Sequence, residues 1–402
     1  MFHSKFMHLT NKSRNVIILF SLLSLIEGVL WYFLPIYFES QLNSLFLIGM
    51  LMAAHPLASL FADLPAGDLC DKIGRKFAFI IGAIGFLASF LLLYTDNFIG
   101  FLFFMLIYGA FSTLYSVSAN TAIIDYSNRN HVGEVNGIFV SLVYFGWFAG
   151  SVIAGILGSI FIQVTLFNIL AIALLLVTLG AILYFPGKTM PKKHSMRKAG
   201  RILIRDHLWF GEFGSIKKIN ISIIPALFFY FIWGFWEYAI WTFEPIYTNV
   251  VVGSDFFVGA IILGLLSLPT ILIAPLGGWL TDKINPRKMI FYGAVLLIIG
   301  QSIFLMIQDL IGLTLSLIIT SIGICFISLP ICYIEKVQVK QNFRGEVVGY
   351  EEMLYNIGGI LGPLSVGTLF TITNMSHLFY LTFSLFLISV VLLIPWSRKV
   401  FK

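Results

Sequence analysis

The chain has 402 residues, of which 59% are hydrophobic and only 11% charged, with a formal net charge of +6. No soluble globular domain has that balance. Its three cysteines, Cys70, Cys325 and Cys332, show neither metal-site nor disulfide spacing and point to no chemistry.

Apolar stretches of about 20 residues recur along the whole length, and a helix needs roughly that number to cross a ~30 Å hydrocarbon core. Twelve are predicted, at 15–38, 45–66, 77–95, 98–124, 134–160, 162–185, 220–248, 255–280, 288–307, 309–334, 347–372 and 377–396. Backbone groups in lipid must be satisfied within their own segment, so the expected fold is an all-α membrane protein of twelve transmembrane helices. The first stretch is too long, and too poorly followed by a cleavage site, to be a removed leader. All 25 Lys and Arg fall at the amino terminus, in the 2–3, 4–5, 8–9 and 10–11 loops, in the 186–219 linker or in the tail. Those segments share one side, so both termini are expected to be cytoplasmic. The positive charge then reflects topology and the anionic inner leaflet, and no nucleic-acid partner is expected.

Span 1 contains "SLIEGVLWYFLPIYFES" (24–40), in which Glu27 stands alone in an apolar run. A charged carboxylate at mid-bilayer costs about 2.5–3.5 kcal/mol on insertion scales, so the residue needs a reason. At helical spacing Ser21, Ser24, Glu27, Gly28 and Trp31 share one face. Span 2 carries His55 before Pro56, either a proton relay or substrate ligand or a neutral structural histidine, and Asp63 one turn above the following loop. That loop reads "GDLCDKIGRK" (67–76). Span 4 has a polar stripe of Ser112, Tyr115, Ser116 and Asn120, which either lines a cavity or bridges helices, and it ends at Asp125. Span 5 holds the glycine run "GWFAGSVIAG" (146–155), expected to be a helix-packing surface through Gly146, Gly150 and Gly155.

After the 186–219 linker, whose 198–213 stretch is amphipathic and expected to lie on the cytoplasmic surface, the chain repeats itself. "IEGVLWYFLPIY" (26–37) aligns with "WEYAIWTFEPIY" (236–247), so Glu237 of span 7 matches Glu27. Tyr230, Trp233, Gly234, Glu237, Trp241 and Glu244 share one face. "GDLCDKIGRK" aligns with "GWLTDKINPRK" (278–288), and "GEVNG" (133–137) with "GEVVG" (345–349). Span 10 runs out to Glu335. Span 11 carries Glu351, Glu352, Tyr355 and Asn356 and then "GGILGPLSVG" (358–367), where Gly358, Gly362 and Pro363 continue the packing surface. The matches keep a nearly constant spacing, which divides the chain into a six-helix bundle at 1–185, a cytoplasmic linker at 186–219 and a second bundle at 220–402. Parallel halves of this kind are typical of transporters, with the site between them near the midplane.

The loop "GDLCDKIGRK" resembles the signature of the major facilitator superfamily at every defined position, and it sits between spans 2 and 3 as the family has it. Its weaker echo falls between spans 8 and 9. The span 5 run is similar to the family's antiporter motif, with Ser151 in place of the proline and Ala154 in place of one glycine. The resemblance covers the whole chain and implies two pseudo-symmetric bundles that rock about a central cavity lined by spans 1 and 7. It also implies a cytoplasmic gate. Gly67 and Gly74 permit close packing and a tight turn, Asp71 faces the amino-terminal end of span 11 near Gly345 to Gly349, and Arg75 pairs with Asp125. In the echo, Asp282 and Arg287 play these parts near Gly133 to Gly137 and Glu335, and Asp63 belongs to the same gate. A loop that serves topology alone is the alternative.

Glu27 and Glu237 are expected to be the proton-coupling pair, since burial disfavours their charged forms and symmetric placement is otherwise unneeded. The substrate cavity is assigned to Trp31, His55, Ser112, Tyr115, Ser116, Trp233, Trp241, Tyr355 and Asn356, with Tyr32, Trp236 and Tyr238 as further aromatic lining. No Lys or Arg lies within any predicted span, so carboxylates and aromatics should favour hydrophobic or cationic small molecules. The chain is therefore expected to be a proton-coupled exporter working by alternating access, a monomer in the plasma membrane, with small-molecule substrate, protons and lipid as its partners. The proton gradient stands in place of a cofactor, and no metal site is expected. Span 4 lacks the arginine usual in proton antiporters of the family, which leaves open a proton symporter for a neutral solute such as a sugar. A non-transporting receptor or scaffold is the reading of another class. No catalytic or nucleotide-binding constellation is present, so neither enzymatic activity nor ATP-driven transport is expected.

Overall fold

In the computed structural model the described residues are 9–128, 131–161, 163–187, 224–337, 344–370 and 376–400; Arg129 and the 198–213 stretch lie outside them. The described chain is helical, with no strand. Span 1 is Asn11–Leu42, span 2 Leu45–Ile73, span 3 Arg75–Ser89 continued by a tight 3₁₀ segment Phe90–Thr95, span 4 Phe98–Tyr126, span 5 Val132–Ile160 and span 6 Gln163–Tyr184. Span 7 is Ile224–Ile246 followed by a π turn Tyr247–Val251. Spans 9 to 12 are Pro286–Met306, Leu310–Val337, Arg344–Phe370 and Ser376–Val400. At about 1.5 Å per residue, the 32 residues of span 1 reach about 48 Å, beyond the hydrocarbon core and into both interfaces.

Helix ends fall where local chemistry stops the helix. Thr10 caps span 1 by accepting from Ser13 N (3.0 Å), and Asn43 closes it in the left-handed region at φ 48°. Asn97 caps span 4 by accepting from Gly100 N (2.9 Å). Gly74, at φ 91°, makes the turn between spans 2 and 3, a conformation only glycine adopts readily.

Among the described residues nine helices are long and apolar enough to cross a membrane. A tenth is span 8, which is broken rather than continuous: Phe256–Leu265 and Leu268–Leu276 meet at a 41° bend. The segment Gly277–Lys283 follows. Spans 7 and 11 complete the twelve predicted positions but fall short of that apolarity. They carry Glu237, Glu244, Glu351, Glu352 and Asn356, and they pack against each other. A helix shielded from lipid by its neighbours tolerates such residues.

The packing repeats between the halves. Span 1 lies on span 5 as span 7 lies on span 11; span 3 lies on spans 4 and 6 as span 9 lies on spans 10 and 12. Across the halves, span 2 packs on span 11 and span 5 on span 8, with span 1 meeting span 7 at the centre.

Candidate functional site

The glycine runs set how closely the central helices approach. A side chain at Gly28 would meet the Trp147 carbonyl oxygen at 2.5 Å, and one at Gly146 would meet Ser21 O at 2.6 Å. Gly150 sits on Leu25 and Gly28 of span 1, while Gly155 faces Phe257 and Ala260 of span 8. In the second half Gly358 and Gly362 rest on Phe231 and Phe235 of span 7, and Gly49 of span 2 rests on the Pro363 carbonyl. Backbone-to-backbone contact of this kind fixes spans 1 and 7 against spans 5 and 11, and with them the two glutamates.

Glu27 and Glu237 are each only 7% exposed. Oε1 of Glu27 accepts from two tyrosines of span 4: the Tyr115 hydroxyl by a short bond, and the Tyr108 hydroxyl at 3.3 Å. Trp147 turns its indole N–H towards the same carboxylate. Oε2 of Glu237 accepts from the Tyr355 hydroxyl of span 11 at 2.9 Å. Trp233 and Trp241 present their indoles towards Glu237, although Trp241 Nε1 makes no hydrogen bond. No Lys or Arg pairs with either acid among the described residues.

An aromatic bridge joins the halves between the two acids. Trp31 Nε1 donates to the Tyr108 hydroxyl at 3.1 Å, and its ring lies 5.5 Å from Tyr238 across the interface. Trp147 meets Trp241 edge-on at 5.1 Å, and Tyr238 meets Tyr355 at 5.7 Å. His55 touches Trp31 edge-on at 5.1 Å and shares a 3.2 Å hydrogen bond between Nε2 and Ser112 Oγ. Its Nδ1 is buried without a partner. Trp233 joins the cluster through Tyr355, at 5.4 Å. The site thus offers a proton acceptor in each half and, between them, aromatic faces suited to a cation or an apolar ring.

Towards the basic loops, Arg75 Nη1 pairs with Asp71 at 2.5 Å and its Nε with Asp125 at 3.2 Å. Both pairs of this cluster lie within the first half, and the Asp71 side chain is 68% exposed. Two hydrogen bonds cross the halves on this side: Asn356 Nδ2 donates to Asp63 Oδ2 at 3.0 Å, from span 11 to span 2, and Ser141 Oγ donates to the Ile271 carbonyl at 2.7 Å, from span 5 to span 8. Among the described residues nothing stands within 4 Å of the place where a Gly67 side chain would be. In the echo, Asn285 caps span 9 at Arg287 N (3.0 Å). The side chains of Asp282 and Glu335, and those of 345–349, lie outside the description.

Two expectations about the cavity change. Trp236 is 1% exposed and packs against Phe386 of span 12 at 6.2 Å, turned away from the centre; one residue of rotation around the helix separates it from Glu237. Ser116 is only half-buried, and its carbonyl accepts from Asn120 on its own helix at 3.0 Å. Two residues that the sequence does not mark out, Tyr108 and Trp147, also reach Glu27. Tyr108 continues the span 4 stripe one turn above Ser112, and Trp147 interrupts the small residues of the span 5 run; those were the available signals.

The family model of the Major Facilitator Superfamily matches residues 16–340 and, again, 226–400. The chain is 24% identical to multidrug resistance protein 2 of Bacillus subtilis, over 88% of this chain and 86% of that one. It is 26% identical to a probable nitrate transporter, NarT, of Staphylococcus aureus, over 84% of this chain and 83% of that one. Among solved structures, the nucleoside transporter NupG superposes with a TM-score of 0.75 at 17% identity, covering 97% of this chain and 100% of the other. That likeness is one of fold.

Proposed function

Because the chain belongs to the major facilitator superfamily, we propose that it is a proton-coupled secondary transporter that exports hydrophobic or cationic small molecules by alternating access. It is a multi-pass membrane protein of the plasma membrane, and transport is the work of its family. In this reading 1–185 and 220–402 are the two rocking bodies, joined by 186–219. The protein acts as a monomer and draws on the proton gradient alone.

One observation carries the coupling proposal. Two symmetry-related carboxyls sit at the centre, almost sealed from water, Glu27 held by two tyrosine hydroxyls and Glu237 by one, with no Lys or Arg beside either among the described residues. Such a group binds a proton readily when enclosed and releases it when the cavity admits water. The cation preference rests on the same inventory: carboxylates, tyrosines and tryptophans. A nitrate-like substrate, as the NarT name indicates for that relative, calls for cationic side chains, which these contacts lack. Asp63–Asn356 and Ser141–Ile271 are inner cross-half contacts that opening to the cytoplasm breaks, with Arg75, Asp71 and Asp125 bracing the first half beside them.

Proteoliposomes with an entrapped pH dye test the proposal. Adding a lipophilic cation to vesicles holding a proton gradient should move protons in step with its uptake. Accumulation of substrate with no proton movement would remove the coupling.

A further inference from the structure

A third carboxyl on the central helix has no part in the reading above. Glu244 lies two turns beyond Glu237 on span 7, towards the face opposite the basic loops. It is 0% exposed, and neither carboxylate oxygen has a hydrogen-bond partner. The Thr248 hydroxyl, one turn on, donates instead to Glu244's own backbone carbonyl at 2.9 Å. The aligned position of the first half is Leu34, so the repeat does not require an acid here.

The surroundings form a seam between the halves. Tyr32 of span 1 donates to the Phe256 carbonyl at the head of span 8 (2.7 Å) and accepts from Asn249 Nδ2 of the π turn after span 7 (2.7 Å). Asn249 also reaches the Pro245 carbonyl at 2.8 Å. Its own Oδ1 is buried with no partner. Three buried oxygens, two of Glu244 and one of Asn249, therefore lack a donor. An ionised carboxylate buried without a donor is strongly disfavoured, and a proton removes that penalty. At the aligned point of span 1 the helix runs on to Leu42, whereas span 7 gives way to the π turn Tyr247–Val251, a deformation common at functional sites.

We propose that Glu244 is a proton-binding site of the outer seam: protonated, it lets the Tyr32–Asn249–Phe256 contacts close, and ionised, it parts them. Of the elements packed on span 7, span 1 turns the Tyr32 hydroxyl to this site and span 8 the Phe256 carbonyl. Among the described residues spans 2, 11 and 12 turn no charged group to it, and Asp309 acts on Tyr247 instead. Loss of the proton to outer water leaves a charge that only water can solvate, so the seam must open to admit it. The inference rests on alternating access but not on Glu27 or Glu237 carrying the coupling proton.

The test measures the distance between spin labels at Gln41→Cys and Val252→Cys, the exposed outer ends of spans 1 and 7, in full-length protein with Cys70, Cys325 and Cys332 changed to Ser. Between about pH 5 and about pH 9 the ratio of long to short distances should rise about tenfold. With Glu27→Gln and Glu237→Gln in the background, so that the central acids cannot titrate, the rise should persist while Glu244 is present, and in Glu244→Gln the ratio should stay low throughout. Glu244→Leu, which restores the residue of the aligned position, should do likewise if the Gln variant is unstable. Working in that background separates this inference from the coupling proposal. A pH response that survives there in both Glu244 variants would overturn it, as would a ratio indifferent to pH or one that follows sodium at fixed pH.

Discussion

Tyr355 donates its hydroxyl hydrogen to Glu237 over 2.9 Å, and the two residues stand on helices, spans 11 and 7, whose counterparts in the first half are spans 5 and 1. Glu27 of span 1 takes its tyrosines from span 4 instead. The acids repeat but their donors do not, so the two sites are equivalent in depth and different in chemistry.

That asymmetry separates the acids by experiment. Interhelical hydrogen bonds in membranes contribute on average about 0.6 kcal/mol, and at most about 1.7 kcal/mol. Tyr355→Phe and Tyr115→Phe should therefore fold with a thermal midpoint near that of wild type. If the bonds hold the acids in working order, each variant should still lower proton-driven uptake more than tenfold, beyond what so small a loss of stability explains. Because Glu27 keeps Tyr108 when Tyr115 is lost, Tyr355→Phe should be the more severe of the two. Equal, mild defects would reduce these tyrosines to packing.

The glycines give a second contrast. A side chain at Gly150 would drive into the Leu25 and Gly28 backbone, whereas one at Gly67 meets none of the described residues. Overpacking of this sort costs typically 1–3 kcal/mol. Gly150→Leu should lower the thermal midpoint sharply in detergent, while Gly67→Leu should leave it unchanged. If the space beside Gly67 closes in another step of the cycle, Gly67→Leu should nevertheless slow transport. Full activity in that variant would show that the loop glycine is needed in no state.

Much of this was legible in one dimension. Twelve apolar stretches, basic residues confined to alternate connections, and Glu27 alone in a run of apolar side chains are all visible without folding the chain. Span 8 was not, because periodicity cannot distinguish a straight apolar helix from one bent at Leu266–Ser267. Nor were the partners of the acids, which come from 81, 88 and 118 residues away. Trp233, Trp236 and Trp241 read alike in sequence, yet Trp236 turns to span 12 and the others to the centre. A helix buried on all sides has no polar face to mark which side is the cavity.

The loop cluster yields a graded expectation. Asp71 is largely exposed, and exposed ion pairs contribute about 0–1 kcal/mol, so Asp71→Ala should fold normally. Arg75 binds both Asp71 and Asp125, and its carbonyl accepts from Ser118, so it ties the starts and ends of spans 2, 3 and 4 together. Arg75→Gln should therefore increase cysteine labelling at the inner mouth and depress transport more than Asp71→Ala does. The reverse order would favour a direct contact of Asp71 with span 11 in another state.

Ligand charge can be tested independently of coupling. With carboxylates and indoles at the centre, a cationic ligand should stabilise the purified protein more than an anionic one of the same shape. At a concentration of 100 times Kd the expected stabilisation is about 2.7 kcal/mol. Matched pairs in a thermal-shift assay would show it, and a larger shift with the anion would reverse the proposed preference.

The central expectation concerns Glu27 and Glu237 together. Glu27→Gln and Glu237→Gln replace an acid with a neutral amide of nearly the same size, which can still accept from Tyr115 or Tyr355. Burying a neutral amide is less costly than burying a charge, so both variants should be produced at near wild-type levels. A permanently neutral side chain cannot release a proton when the cavity opens, so at least one variant should fail to accumulate substrate against its gradient. The same variant should retain binding and downhill exchange, because the aromatic bridge of Trp31, Tyr238, Trp147 and Trp241 is untouched. Loss of exchange along with uptake would mean that the acid binds substrate directly. Uphill transport at the wild-type rate in both variants would assign the coupling proton elsewhere, and the two glutamates would then be hydrogen-bond acceptors for their tyrosines and nothing more.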